Sequence, residues 1–338
     1  RSVYPNLVST LLANGTTTAV YFSTIHMEAS QVLAEVCRDA GQRAFVGKVV
    51  MDDPDQCPDY YRDSSTRQAI DETQGFIEFV RNLSGNDADL VQPIVTPRFI
   101  PSCSHAALLE LGRVADQMDC RVQTHCSEGD WEHQFVHERY GQSDTTALAE
   151  LGLLQRGSVL AHCNFASPTD MEIMKGALTG IAHCPISNAY FANSVFPLRQ
   201  ALDIGVSVGM GTDISGGPSP SIFENARFAI AASRMLEEGV DPETASASRG
   251  HPDSRIDFRE ALWVATAGGA EVLDIPVGKF EKGRHFDAIL VDHHEATDRA
   301  AFSNSTTSGE DFVQELIYNV SQSDIRRVWV NDRLTRNS

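Results

Sequence analysis

Lysine is almost missing from this chain: Lys48, Lys175, Lys279 and Lys282 are the whole set, and arginine supplies the rest of the positive charge. Acidic residues outnumber basic ones by 46 to 27, the formal net charge is −19, and no basic run or stripe offsets that excess. A phosphate backbone needs clustered cations to neutralise it, so nucleic acid and anionic membrane are excluded as expected partners. No apolar stretch reaches membrane-spanning length, and the opening segment RSVYPNLVSTLLANG has neither a basic leader nor a small-residue cleavage site. The seven cysteines are an odd set without a CxxC pair, mostly inside apolar strand-like runs, which reads as reduced buried thiols in a cytoplasmic setting. A phosphate-binding loop is missing as well: the GTDISGG stretch lacks the Lys-Ser/Thr pair that such a loop requires. The chain has no starting Met and opens inside a helix-like pattern, so its natural N-terminus is expected upstream of Arg1.

What is present is enough apolar material, 42% of 338 residues, to bury one large core. Short β-branched runs alternate with helical segments, the pattern of parallel strands joined by crossover helices. Strands are expected at 16–22, 43–50, 91–99, 120–126, 158–163, 180–185 and 206–213. Between them SQVLAEVCRDAG, HAALLELGRVADQM and SPTDMEIMKGAL read as helices, the last with Ser167 as cap and Pro168 in the first turn. FREALWVATAGGAEVL reads as a further helix. The fold class is therefore α/β, a (β/α)8 TIM-like barrel. Seven strands are one short of closure, and an open version would leave two raw edges, so the first strand is expected upstream of Arg1. Past the barrel, taken as residues 1–274, the stretches VGKFEKGRHFDAILVD and IRRVWVNDRL read as strands joined by a Ser- and Thr-rich segment. Residues 275–338 are accordingly expected to form the C-terminal part of a small β-sandwich domain.

Three polar residues, His125, His162 and Asp213, each fall at the C-terminal end of a different expected strand. In a parallel barrel those ends converge on one face, where loops build the active site. Two imidazoles and a carboxylate are a partial ligand set for a divalent metal, with zinc the default from ligand type. A hydrogen-bonded core role is the commoner explanation for one histidine at a strand end; three such residues in register favour the ligand reading. Glu128, three residues beyond His125 in QTHCSE, would face the same pocket, where a carboxylate can relay a proton from a metal-activated water. As a first-turn helix residue it would also suit the macrodipole, and both roles are compatible. The glycines of GTDISGG are expected to permit a sharp turn through positive φ. Cys126 and Cys163 follow the candidate ligands, and strand alternation should turn them away from the site.

The succession NGTTTAVYFSTIH, QRAFVGKVVMD, PIVTPRF, QTHCSE, LAHC, IAHCPISN, GMGTDISGG and GKFEKGRHFDAILVD resembles the guanine deaminase branch of the amidohydrolase superfamily along nearly the whole chain. Each motif alone is weak; the ordered set, with TPRF and GRHFDA, is specific. The resemblance implies His125, His162 and Asp213 as ligands of one zinc ion, with iron as the alternative, and Glu128 as proton shuttle. Asp213 would also accept a proton from the attacking water. It implies that Arg98 and Phe99 hold the purine, the guanidinium by paired hydrogen bonds and the ring by stacking; without the family, Arg98 reads as a surface ion-pair residue and Phe99 as core. His183, with Ser187 and Asn188 nearby, matches a recurrent family position whose role is either to touch the substrate or water or to buttress the metal shell. A homodimer and a small-molecule purine base as partner follow from the same resemblance.

One departure is large: the paired HxH motif that the family carries at the end of its first strand, and the glutamine that usually follows it, occur nowhere in the sequence. The expectation is that they precede Arg1, and that the chain as written binds metal weakly or not at all. The expected activity is hydrolysis of guanine to xanthine and ammonia. The alternatives are a deaminase or hydrolase of another aminated heterocycle, such as 8-oxoguanine, adenosylhomocysteine or a chlorotriazine, and a catalytically dead barrel that serves as a binding module.

Overall fold

A computed structural model describes residues 2–292 and 308–337. Among the described residues nine strands build the barrel wall: β1 (Thr18–Phe22), β2 (Arg43–Gly47), β3 (Val49–Val50), β4 (Val91–Pro93), β5 (Thr96–Pro97), β6 (Gln123–Cys126), β7 (Val159–His162), β8 (Gly180–His183) and β9 (Val208–Met210). They correspond to the seven expected runs, two of which are broken in the middle. The run 43–50 breaks at Lys48, and the run 91–99 breaks at Ile94 and Val95. Proline explains much of the second break, because Pro93 and Pro97 have no N–H to donate to a ladder.

All ladders in the wall are parallel. The order runs β1-β2-β4, then β3-β5, and an isolated parallel bridge between Val95 and Val122 leads to β6-β7-β8-β9. Every residue of β2 and β7 is buried, as expected when helices cover one face and side chains fill the lumen on the other. Among the described residues no ladder joins β9 to β1, and this seam opens into a large cavity.

Crossover helices follow the strands, at Met27–Ala40, His105–Gln117 and Pro168–Ala177 where the sequence pointed to them, and also at Thr66–Arg81 and Ile222–Glu238. Several begin on a serine that accepts from a first-turn amide: Ser65 from Gln68, Ser104 from Ala107, Ser143 from Thr146 and Ser221 from Glu224. Ser167 caps Pro168–Ala177 in a full capping box with Asp170. These caps fix the residue at which each of these five helices begins. Among the described residues, no helix is long and apolar enough to cross a membrane.

The C-terminal residues form an antiparallel sheet of β10 (Ala288–Val291), β11 (Ile325–Val330) and β12 (Arg333–Asn337), with the helix Gly309–Asn319 ahead of β11. IRRVWVNDRL is thus not one strand but a hairpin. Asn331 and Asp332 both have left-handed φ, 49° and 67°, which side chains of this type tolerate in a tight turn. The joining segment 293–307 lies outside the described residues.

Candidate active site

The site starts from the carboxyl ends of β6, β7 and β9. His125 is the penultimate residue of β6, His162 the last of β7, and Asp213 stands just beyond β9. Their ligand-type atoms all lie within 4.8 Å of one another. The backbone makes this possible at some cost: His162 and Asp213 have left-handed φ of 72° and 52°, and Cys163 and Ser127 are also left-handed. Such conformations in residues other than glycine persist only where the surroundings enforce them, and they cluster here at the candidate site.

The glycines after Asp213 therefore act differently from expectation, since neither Gly216 nor Gly217 has positive φ. Asp213 makes the turn, and the glycines allow close approach. A Cβ on Gly216 would sit 2.8 Å from Asp213 Oδ2, and one on Gly217 would sit 2.3 Å from the Thr212 carbonyl.

Each candidate ligand is oriented by a second group. His125 Nδ1 is 2.7 Å from the Arg98 carbonyl oxygen, which can only accept, so Nδ1 carries the proton and Nε2 keeps its lone pair. The same carbonyl accepts from the His125 amide at 3.0 Å, tying β6 to the end of β5. Burial, and then the neighbouring His162, lower the His125 pKa to about 3, so the ring is neutral at physiological pH. The two imidazoles stack with centroids 5.4 Å apart, and Phe22 of β1 packs 4.3 Å from His125 on its other side. His162 is 1% exposed, and its Nδ1 lies 2.8 Å from Asn188 Oδ1. Asp213 Oδ2 accepts from the Ser187 hydroxyl.

A divalent cation fits this donor set: two imidazoles and a carboxylate held by a hydroxyl have the ligand chemistry of zinc sites. Glu128 lies beside it, half-buried, with Oε2 3.8 Å from His162 Nε2. His125 and Asp213 line a cavity of about 960 Å3 that extends along β1 and β9.

His183 ends β8 but is not part of the three-residue group. Its ring is 2% exposed and packs 5.2 Å from Phe196, its Nδ1 has no partner among the described residues, and burial lowers its pKa to about 3. Arg98 is exposed, with its guanidinium 5.0 Å over the ring of Phe99, which in turn lies 6.1 Å from Trp131. Neither Arg98 nor Phe99 lines the cavity. Cys126 and Cys163 are fully buried in the core, as strand alternation predicts.

Three residues at the site escape sequence reasoning. Glu132 accepts from the Glu128 amide at 2.9 Å, Asp144 accepts from the Ser127 amide at 3.2 Å, and Asn164 donates to the Glu128 carbonyl at 2.8 Å. The spacing Glu128 to Glu132, one helical turn, was the available signal for the first; a single aspartate or asparagine in a loop gives none.

A wall of parallel strands with imidazole, imidazole and carboxylate converging on its carboxyl-end rim defines an α/β-barrel protein with a candidate metal site. Within that class the chain belongs to the amidohydrolase family, whose model matches residues 1–334. It is 35% identical to a probable guanine deaminase of Schizosaccharomyces pombe over 338 residues, 99% of this chain and 62% of that protein. It is 33% identical to the guanine deaminase of Mus musculus, over 98% of this chain and 71% of the relative. The chain thus spans between three-fifths and three-quarters of these relatives. Among solved structures it superposes on the guanine deaminase of C. acetobutylicum with bound guanine in the active site, with a TM-score of 0.85 and 27% identity, covering 97% of this chain and 74% of that one.

Proposed function

We propose that the protein hydrolyses guanine to xanthine and ammonia. The observation that carries this reading is the position of Glu128, 3.8 Å from His162 beside the converged ligand trio, in a chain a third identical to guanine deaminases. His125, His162 and Asp213 are the proposed holders of one zinc ion, with iron as the alternative. A divalent cation bound there would supply the Lewis acidity that makes a water nucleophilic at neutral pH. With such an ion bound, Glu128 would take one proton from the attacking water and return it to a purine ring nitrogen. Asp213 would accept the second proton and pass it to the amino group on C2, so that C2 gains the water's oxygen as its bond to nitrogen breaks and ammonia leaves. Arg98 and Phe99 are proposed to hold the base; among the described residues no ion pair occupies the Arg98 guanidinium. His183, buried beside Phe196, is proposed to support the reacting centre. The seam between β9 and β1 is the proposed seat of an eighth strand bearing the HxH pair, and a cytoplasmic homodimer belongs to the same reading.

The test uses protein expressed from the complete reading frame and loaded with zinc, with xanthine formation followed by absorbance. Glu128→Gln is expected to keep its zinc by elemental analysis and to lose about 100- to 10,000-fold in kcat. Undiminished ammonia release would remove Glu128 from the mechanism. A panel of purines, pterins and triazines separates guanine from the alternative heterocycles, and preference for a nucleoside over the free base overturns the assignment. Stoichiometric zinc with no turnover of any of them favours the binding-module reading, for which the absence of HxH from this sequence is the motive.

A further inference from the structure

The ends of three neighbouring strands are joined by a buried chain of side-chain amides. His162 Nδ1 lies 2.8 Å from Asn188 Oδ1, Asn188 Nδ2 donates to Asn164 Oδ1 at 2.7 Å, and Asn164 Nδ2 donates to the Glu128 main-chain carbonyl at 2.8 Å. The chain is shielded from water: His162 and Asn188 are each 1% exposed, and Asn164 is 7% exposed.

Donor and acceptor identities make this chain directional. The Glu128 carbonyl can only accept, so Asn164 must turn its NH2 toward it and its oxygen toward Asn188. Asn188 must then turn its NH2 toward Asn164, which leaves its own oxygen for His162. An oxygen at that position requires a proton on His162 Nδ1, so Nε2, which faces Glu128 and the candidate ion, is the nitrogen left to offer a lone pair whenever the ring carries a single proton. Reversing either amide would bring two oxygens together in a buried space, where an unmade hydrogen bond carries its full desolvation cost. At its other end, the peptide of Glu128 is held by Glu132, which accepts from the Glu128 amide at 2.9 Å.

We infer that Asn164 and Asn188 are positioning residues that couple the tautomer and orientation of His162 to the placement of Glu128. The inference rests on the reading of His162 as a ligand and Glu128 as the shuttle, and adds that the loop bearing the shuttle selects the imidazole nitrogen offered to the ion. Neither asparagine is a proposed ligand or proton shuttle; both act through His162 and Glu128, which are.

The test combines a spectroscopic and a kinetic readout on the protein from the complete reading frame, loaded with cobalt(II) for spectra and with zinc for turnover. Asn188→Leu removes the acceptor of the His162 proton, and is expected to weaken cobalt affinity about 10- to 100-fold and to change the visible ligand-field bands. Asn164→Asp, nearly isosteric, cannot donate to the Glu128 carbonyl, and is expected to lower kcat about tenfold or more while KM for guanine stays within about twofold. In the double variant the kcat losses should fall well short of the product of the singles, because one relay can be broken only once. Asn188→Asp keeps an acceptor for His162 and guards against misfolding of the leucine variant; it should retain the cobalt spectrum and still lose kcat. Unchanged cobalt affinity in Asn188→Leu, or multiplicative losses in the double variant, would overturn the coupling. If the wild-type protein binds cobalt but leaves guanine unchanged, the activity reading fails, while the spectral comparison still judges the relay.

Discussion

Glu132 shows how a single buried acid can be tied to function through its neighbour's backbone. It is 4% exposed; its Oε2 accepts from the Glu128 amide, and its Oε1 has no partner among the described residues. Burial, and then the nearby Asp144 carboxylate, push its pKa up to about 8. In the unfolded chain an ordinary glutamate titrates near 4.3, so between about pH 5 and pH 8 the folded protein holds a proton that the unfolded chain has released. The stabilisation from that proton is fully present below the unfolded value and is lost as pH rises through the folded one, at up to about 1.4 kcal/mol per pH unit. Glu132→Gln keeps an oxygen for the Glu128 amide and abolishes the titration. Urea denaturation at intervals from pH 5 to pH 8 should find wild-type stability falling with pH and the variant's curve flatter by that slope; equal slopes would mean that Glu132 is already ionised in the fold.

At the scale of elements, the breaks in the barrel wall have a cause that sequence pattern does not display. Gly47 ends β2 where the wall is tightest: a Cβ there would lie 1.7 Å from Thr96 Oγ1 and 2.8 Å from the Ile94 carbonyl. Thr96 Oγ1 in turn accepts from Gln123 Nε2, which also donates to the Tyr21 carbonyl, so one methyl group would disturb β1, β5 and the strand that carries His125. Gly47→Ala should cost about 1–3 kcal/mol, the range of overpacked cores, read as a lower urea midpoint at unchanged m-value. A stability within a few tenths of wild type would show that Thr96 can yield. The seven strand positions and several of their helices were legible because β-branched runs and serine caps are local signals, and the convergence of His125, His162 and Asp213 was legible because a polar residue at a strand end stands out against apolar neighbours. The interruptions at Lys48 and at Ile94 depend on what the adjacent strand brings, and the Asn331-Asp332 turn was hidden because its flanks are uniformly strand-like. Asn164 is invisible for the same reason: its meaning depends on Asn188, 24 residues away, and no period links the two.

For the whole molecule, the open matter is whether residues 275–338 form an autonomous unit, as a boundary at 274 implies, or unfold with the barrel. One apolar cluster joins Val8, Leu11 and Leu12 of the N-terminal helix Val3–Ala13 with Val46 of β2, Phe76, and Ile325, Val328 and Val330 of β11. Across the same junction, Arg43 of β2 makes a two-point ion pair with Asp287, at 3.2 and 3.1 Å, with side chains 5% and 3% exposed. Asp287 also accepts from the Asn331 amide of the β11-β12 turn, and Arg336 of β12 donates to the Ala13 carbonyl. A charge left alone in such a place is costly, so Asp287→Ala should lower stability by about 3–5 kcal/mol. The informative readout is where the loss falls. If the shared core makes one cooperative unit, hydrogen exchange should accelerate together in β11, in β2, and in β7 on the far side of the barrel, because each exchanges through the same global opening. If the tail is autonomous, only peptides from β10 to β12 lose protection and β7 stays at its wild-type rate, an outcome that would restore the boundary at 274.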